Sequence, residues 1–177
     1  IGIAATFLAT ALGTVAALGL SRPNMPFKGT IMAILISPMI VPLIITSAGM
    51  FFFYSKIGLT HTYLGLILAH TALGTPFVVI TVTATLTGFD TNLIRASQSL
   101  GADTMRTFFK IIMPLILPGV ISGGLFAFIT SFDEVVVVMF IGSVEQITIP
   151  KQMWAGLRQE TSPVILCMAT CLVALSI

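Results

Sequence analysis

The feature that most constrains this chain is the length of the stretches that carry no Asp, Glu, Lys or Arg. A helix crosses the hydrocarbon layer of a bilayer in about 20 apolar residues. The charge-free stretches that approach or exceed this length are residues 1–21, 29–55, 57–89, 111–132 and 161–177. They are aliphatic throughout and lack the alternating pattern of a membrane β-barrel strand. The sequence therefore predicts an all-α integral membrane protein, a polytopic helical bundle of about five spans.

Composition excludes other classes of protein. Charged residues make up 8 % of the 177 residues and hydrophobic residues 56 %, with a mean hydropathy of +1.09. A soluble domain carries about 25 % charged residues, and disordered chains are poor in hydrophobic residues. The net charge of +2 and the scattered basic residues exclude a nucleic-acid partner. Membrane lipid is the expected surrounding.

We expect residues 1–177 to form a single transmembrane domain. The chain begins and ends inside apolar stretches. This pattern predicts that the sequence is part of a longer protein.

The polar connections predict the orientation of the chain in the membrane. Successive connections lie on alternate sides, so residues 22–28 and 90–110 share one side. That side carries five basic residues: Arg22, Lys28, Arg95, Arg106 and Lys110. The other side carries three: Lys56, Lys151 and Arg158. Because cytoplasmic loops hold the excess of Lys and Arg, the first side is predicted to be cytoplasmic.

Several proline residues are expected to bend helices, and two glycine residues are expected to let two helices pack closely. Pro38 and Pro42 interrupt the second apolar stretch, and residues 74–76 (Gly-Thr-Pro) interrupt the third. Proline frees a backbone carbonyl and favours a kink, which is typical of transporters but also occurs in plain helix packing. Gly119 and Gly123 form a GxxxG pattern, which allows two helices to approach closely.

The segment of residues 90–110 is too polar to span a membrane and too apolar for a simple loop. Its apolar residues are spaced for a short amphipathic helix or a pair of helices: Leu93, Ile94, Leu100 and Met105. Gly101 suits a left-handed turn between two helical pieces. A short helix at the cytoplasmic face is suited to a groove on a partner protein, or it lies on the lipid surface.

A family resemblance becomes specific in this segment. The EAA signature of ABC importer permeases runs Glu-Ala-Ala, three residues, Gly, nine residues, Ile, one residue, Leu-Pro. The spacing here matches at every position, and four residues match in identity: Ala96, Gly101, Ile111 and Pro114. Arg95 stands where the family has Glu, Ser97 where it has Ala, and Met113 where it has Leu.

This resemblance implies a type I, binding-protein-dependent importer permease of the bacterial cytoplasmic (inner) membrane. Members of that family commonly have six spans, so the resemblance also implies that a preceding span and the end of the last span lie outside this sequence. Its partners are then a cytoplasmic ABC ATPase dimer, a second permease subunit and a periplasmic or extracellular substrate-binding protein. The residues implied to couple the permease to the ATPase are Arg95, Ala96, Ser97, Leu100, Gly101 and Ala102. The sequence has no GxxxxGK[ST] phosphate loop. We therefore expect no enzyme activity and no cofactor in this chain, with ATP and Mg²⁺ bound by the partner.

Asp133 and Glu134 are the only charged residues in the apolar stretch of residues 111–142. As one straight helix these residues would extend about 48 Å, beyond the hydrocarbon core of about 30 Å. The stretch therefore bends, or the carboxylates lie within the membrane. A carboxylate there costs at least about 2.5 kcal/mol unless it faces water or a partner. We expect Phe132, Asp133 and Glu134 to line a substrate pathway, with Asp133 as the principal residue.

Two functions for the acidic pair stay open on the residues alone. The pair attracts a cationic substrate, with cation–π contact from Phe132, Phe140 or Trp154. Alternatively it has a structural role and pairs with Lys151 or Arg158 to hold an outer gate.

The sequence around this pair resembles the spermidine/putrescine branch of the importer permeases. Phe132, Asp133 and the Ile149–Pro150 dipeptide match that branch, although opine and amino-acid-derivative importers are similar. The resemblance implies transport of polyamines or a related organic cation. The alternative function is an ATP-independent secondary transporter or cation channel that uses Asp133 and Glu134.

The remaining polar residues predict no metal site. His61 and His70 are nine residues apart, which places them on opposite faces of a helix, and His70 is expected to form an interhelical hydrogen bond. Residues 143–160 are predicted to be an external loop with a short helix, serving as an outer gate or as a contact for the binding protein. Trp154 in this loop is expected to anchor at the membrane interface.

Overall fold

The computed structural model describes residues 1–22, 24–90, 92–159 and 163–176, with backbone alone at residues 157–159, 163–165, 172 and 175–176. Its helices are α1 (Gly2–Leu20), α2 (Lys28–Ile40), α3 (Leu43–Ile57), α4 (Tyr63–Thr87), α5 (Asn92–Ser99), α6 (Thr104–Thr107), a π-helical turn (Phe108–Ile112), α7 (Met113–Phe132), α8 (Val136–Ile141), α9 (Ile149–Gln159) and α10 (Pro163–Ser176).

Three helices in the described part of the chain are long and apolar enough to cross a membrane. They are α1, α4 and the continuous helix Thr104–Phe132, which joins α6, the π-helical turn and α7. The pair α2 and α3 makes a fourth span if the two are counted together. The fifth predicted stretch forms α10, whose 14 residues fall below the length of a full span.

The core of the bundle consists of α1, α4 and α7, which all pack against one another. The prediction from the GxxxG pattern is confirmed, since Gly119 and Gly123 are buried against α4. A Cβ atom on Gly123 would lie 2.8 Å from the Cα atom of Val78. Only residues without a side chain permit this approach, so the small residues of α7 set the distance between the two helices.

The two proline motifs behave differently. The chain bends by 105° between α2 and α3, where Val41 is extended at ψ 135° in front of Pro42, a position that disfavours helix. The predicted interruption at residues 74–76 is wrong, because α4 continues through Pro76 as one helix. This site is buried in the three-helix core, and the Thr75 hydroxyl donates to the Thr71 carbonyl at 2.7 Å. Packing and side-chain hydrogen bonds keep such helices continuous.

A second apolar cluster lies at the N-terminal half of α4. Here α8 packs against α3 and α4, and the buried side chains include Tyr54, Leu66, Leu73, Val137 and Ile141. Because α4 contributes to both clusters, it connects the three-helix core to α8.

Candidate functional site

The acidic pair lies at a break between two helices. α7 ends at Phe132, and Asp133 caps it with φ −92° and ψ 1°, while its N–H still donates to the Ile129 carbonyl at 3.1 Å. α8 begins three residues later, at Val136. Residues 111–142 are therefore not one straight helix, which agrees with the first of the two alternatives drawn from the sequence.

The break gives the two carboxylates different surroundings. Asp133 is exposed on the surface of the chain, whereas Glu134 is 7 % exposed. The Oε1 atom of Glu134 accepts a hydrogen bond from the Val137 N–H at 2.9 Å, and so caps the first turn of α8. Glu134 therefore has a structural partner in this chain, while the carboxylate of Asp133 remains at the surface.

Aromatic residues flank the break on both sides. Phe132 stacks on Phe128 with ring centroids 5.4 Å apart and an interplanar angle of 26°. Phe140 lies on α8 and lines an apolar cavity of about 430 Å³ together with Ala48, Phe51, Phe52 and Met139. Trp154, on α9, is 47 % exposed. Of these three predicted cation–π residues, Phe132 is adjacent to Asp133 in the chain.

A buried hydrogen bond connects α4 to the end of α7. The Nδ1 atom of His70 lies 2.7 Å from the Ser131 hydroxyl, and His70 is 1 % exposed. The predicted interhelical hydrogen bond of His70 is confirmed. Ser131 precedes Phe132 directly, so this bond holds the last turn of α7 in place beside Asp133.

The loop before α4, the loop after α8 and the first turn of α9 form one hydrogen-bonded unit (residues 58–62 and 142–151). We call it the outer clamp, after the side of the membrane on which the sequence predicts it to lie. His61 adopts a left-handed φ of 60°, and its N–H donates to the Ile141 carbonyl at 2.9 Å. The Nε2 of Gln146 donates to the His61 carbonyl at 3.3 Å, and its Oε1 accepts from the Ser143 N–H at 2.9 Å. Gln146 is 5 % exposed, so its side chain is a buried link between the two loops.

Lys151 belongs to this clamp. Its Nζ donates to the carbonyls of Ser143 and Gln146 at 3.0 and 3.2 Å, instead of to Asp133 or Glu134. Arg158, the other cation considered as a partner for the acidic pair, has a side chain outside the described residues. The short helix predicted within residues 143–160 is confirmed as α9.

The predicted coupling segment contains two helices joined by a tight turn at Gly101. Gly101 has a φ of 81°. Its N–H donates to the Gln98 carbonyl at 3.0 Å, and the Ala102 N–H donates to the Ser97 carbonyl at 3.0 Å. These two bonds and the left-handed glycine form a Schellman motif. The predicted left-handed turn is confirmed.

Ser97 anchors α5 to the helix that follows the turn. Its hydroxyl lies 2.9 Å from that of Thr107 and donates to the Ile94 carbonyl at 2.8 Å. Ser97 and Thr107 are 6 % and 3 % exposed. The rest of the predicted set faces outwards to different degrees: Arg95, Ala96, Leu100 and Gly101 are exposed and Ala102 is half-buried.

The structure also shows residues that sequence reasoning missed. Nothing in the local pattern distinguishes Gln146 from any other polar loop residue, and Thr107 lies ten residues from its partner Ser97. Both roles depend on contacts between segments that are separated along the chain. The capping role of Glu134 has a local signal, because a carboxylate three residues before a helical N–H is a common cap.

Comparison with known proteins gives one matching family model. Residues 9–177 match the model described as the binding-protein-dependent transport system inner membrane component.

Individual relatives are similar over nearly the whole chain. The spermidine/putrescine transport system permease protein PotC of Haemophilus influenzae is 31 % identical over 98 % of this chain and 67 % of its own length. PotC of Escherichia coli K12 is also 31 % identical, with 98 % and 65 % covered. The putrescine transport system permease protein PotI of Escherichia coli K12 is 29 % identical, with 96 % and 63 % covered. The chain thus spans about two thirds of the length of these relatives.

Proposed function

The chain belongs to the family of binding-protein-dependent transport system inner membrane components, and from that premise we propose that it forms half of the membrane pathway of an ATP-driven importer. It is a multi-pass protein of the bacterial inner membrane. We propose polyamines, or a related organic cation, as the substrate class. The relatives named for spermidine and putrescine transport support this choice.

The observation that carries the substrate class is the exposed carboxylate of Asp133 at the α7–α8 break. An ionised carboxylate near the membrane is costly unless it meets water or a cation. Glu134 is buried and its Oε1 atom accepts from the Val137 N–H, whereas Asp133 lies at the surface of the chain. A primary or secondary ammonium group of the substrate is a matching partner for that carboxylate.

Phe132 and Glu134 complete the pathway site in this proposal. Phe132 supplies a ring face for cation–π contact, which operates within about 6 Å of an ammonium group. Glu134 holds the geometry of the break and adds negative potential beside Asp133. Its burial favours a positioning role over direct contact with substrate.

Transport by such a permease requires partner proteins, which are part of this proposal. A second permease subunit completes the pathway, and a cytoplasmic ATPase dimer binds the segment from Arg95 to Ala102 and supplies ATP hydrolysis with Mg²⁺. A binding protein outside the membrane delivers substrate to the outer clamp and α9, where Trp154 is exposed. The coupling segment and the outer clamp lie at opposite ends of α4 and α7, as alternating access requires.

Uptake of labelled spermidine and putrescine by cells that carry the full-length protein tests the substrate class. We expect Asp133→Asn to raise the KM for uptake about tenfold, because a close charge pair with the substrate is lost. The amount of this variant in the membrane should equal that of the unaltered protein. Asp133→Glu, which keeps the charge, is the matched variant and retains most of the uptake. Equal uptake by Asp133→Asn and the unaltered protein would remove Asp133 from the pathway.

A further inference from the structure

The buried hydrogen bond between His70 and Ser131 joins α4 to the last turn of α7, next to the acidic pair. We propose that His70 is a positioning residue for the substrate: through Ser131 it fixes the place of the Asp133 carboxylate, and so it sets the affinity of the pathway for a cation. His70 does not touch the substrate in this role, because its side chain is 1 % exposed. This role rests on the proposed function, since it concerns the substrate site at Asp133.

One bond ties the break between α7 and α8 to the rest of the bundle. The hydrogen bonds of Asp133 and Glu134 are made to residues of α7 and α8 themselves. Among the described residues, the 2.7 Å contact between the His70 Nδ1 atom and the Ser131 hydroxyl is the one hydrogen bond that joins residues 131–135 to any other helix. It therefore fixes the position of the break relative to α4.

Ser131 uses its hydroxyl differently from several other helical residues of this chain. The hydroxyls of Ser47, Thr75 and Thr85 each donate to the carbonyl four residues earlier in the same helix. The Ser131 hydroxyl is directed across to α4 instead, where it meets the Nδ1 atom of His70. The bond thus connects two helices, as polar side chains do within membrane bundles.

His70 carries a cost that packing alone does not explain. Its Nε2 atom is buried and has no hydrogen-bond partner in the described part of the chain. An unpaired buried donor or acceptor destabilises a fold, and an apolar side chain of similar volume, such as leucine, would avoid this loss. Stability of the bundle therefore does not account for a histidine here, whereas its hydrogen bond at the break does.

Replacing His70 with leucine separates positioning from stability. Cells carry the complete transporter, and the KM and the maximal rate for uptake of labelled putrescine and spermidine are measured. We expect His70→Leu to raise KM about fivefold, the factor that corresponds to one ordinary hydrogen bond, with the maximal rate per transporter unchanged. The melting temperature in mild detergent should stay equal or rise, because the unpaired Nε2 atom is removed and the Ser131 hydroxyl is free to turn to a carbonyl of its own helix.

Conservative variants test which ring nitrogen matters. Asparagine at position 70 places an amide atom where the Nδ1 atom of histidine lies, whereas glutamine places its amide where Nε2 lies. We expect His70→Asn to restore most of the affinity and His70→Gln to behave like His70→Leu. Equal KM values for the asparagine and glutamine variants would refute the role of the Nδ1 bond.

Ser131→Ala removes the same bond with a smaller change and serves as the second variant if His70→Leu fails to reach the membrane. It should raise KM to the same extent. Ser47→Ala is the matched control, because Ser47 is also buried and its hydroxyl donates to the Leu43 carbonyl within α3. Its KM should equal that of the unaltered transporter.

A double substitution shows whether His70 acts through Asp133. In the Asp133→Asn background, His70→Leu should raise KM no further, because the carboxylate that it positions is already gone. Residues that act on one group show such non-additive effects. If the two effects on KM add in full, His70 acts by another route and the proposal is refuted.

The remaining outcomes separate this inference from the proposed function. If Asp133→Asn raises KM while His70→Leu and Ser131→Ala leave it unchanged, the substrate site stands and the positioning role is wrong. Loss of melting temperature and of membrane protein at an unchanged KM would assign His70 to the fold alone. If Asp133→Asn also leaves KM unchanged, or the unaltered transporter takes up neither polyamine, both proposals are overturned.

Discussion

Replacing Gly123 with alanine tests whether close approach of α4 and α7 holds the three-helix core together. A Cβ atom at this position would lie 2.8 Å from the Cα atom of Val78 and 3.4 Å from its Cβ, and would contact the Thr81 hydroxyl. Carbon atoms pack at about 3.5–4.0 Å, so the two helices would have to separate locally by about 1 Å. The closest carbon is in the backbone, and no rotation of a side chain removes it.

The cost follows from the lost contacts. A gap of about 0.5–1 Å loses about a quarter to a half of each dispersion contact across it. Overpacking of this kind costs about 1–3 kcal/mol, and the higher helix propensity of alanine offsets up to about 1 kcal/mol. We expect the free energy of unfolding to fall by about 1–2 kcal/mol. At about 2–4 °C per kcal/mol for a chain of this size, the melting temperature falls by roughly 2–8 °C.

Thermal unfolding of the full-length protein in mild detergent measures this shift. Gly49→Ala is the matched control, because Gly49 lies within α3 and a Cβ atom there meets nothing within 4 Å. Its melting temperature should stay equal or rise. If Gly123→Ala unfolds at the same temperature as Gly49→Ala, close packing of α4 on α7 does not hold the core and the reasoning is wrong.

Three further substitutions test other parts of the structure. Glu134→Ala removes the acceptor of the Val137 N–H and should lower the free energy of unfolding by about 1 kcal/mol. Glu134→Gln keeps an acceptor and should unfold at nearly the same temperature as the unaltered protein. Equal losses of stability for the two variants in calorimetry would refute the cap. Gln146→Leu should speed hydrogen exchange at the Ser143 amide, which loses its acceptor, and the exposed Gln152→Leu should not; unchanged exchange would refute the clamp. Gly101→Ala should lower the free energy of unfolding by about 1–2 kcal/mol because its φ is left-handed, and it should weaken ATPase binding. Gly101→Asp should abolish ATP-driven uptake without preventing membrane insertion. Normal uptake by Gly101→Asp would exclude the turn from coupling.

Much of this protein follows from local properties of the chain. Length and apolarity predicted the spanning helices because any span must fill the same hydrocarbon thickness. The left-handed turn at Gly101 and the bend before Pro42 were predictable because each depends on the backbone of one or two residues. The close packing of α7 on α4 was also predictable from the sequence, because Gly119 and Gly123 are four residues apart and so lie on one face of the helix.

Contacts between distant segments decided the rest. Residues 74–76 contain the same kind of breaker as Pro42, yet α4 continues there because neighbouring helices enclose it. The two adjacent carboxylates are chemically alike in the sequence, and only the position of α8 separates a buried Glu134 from an exposed Asp133. Burial is a property of the neighbours that surround a side chain, and those neighbours come from elements that meet only when the chain has folded.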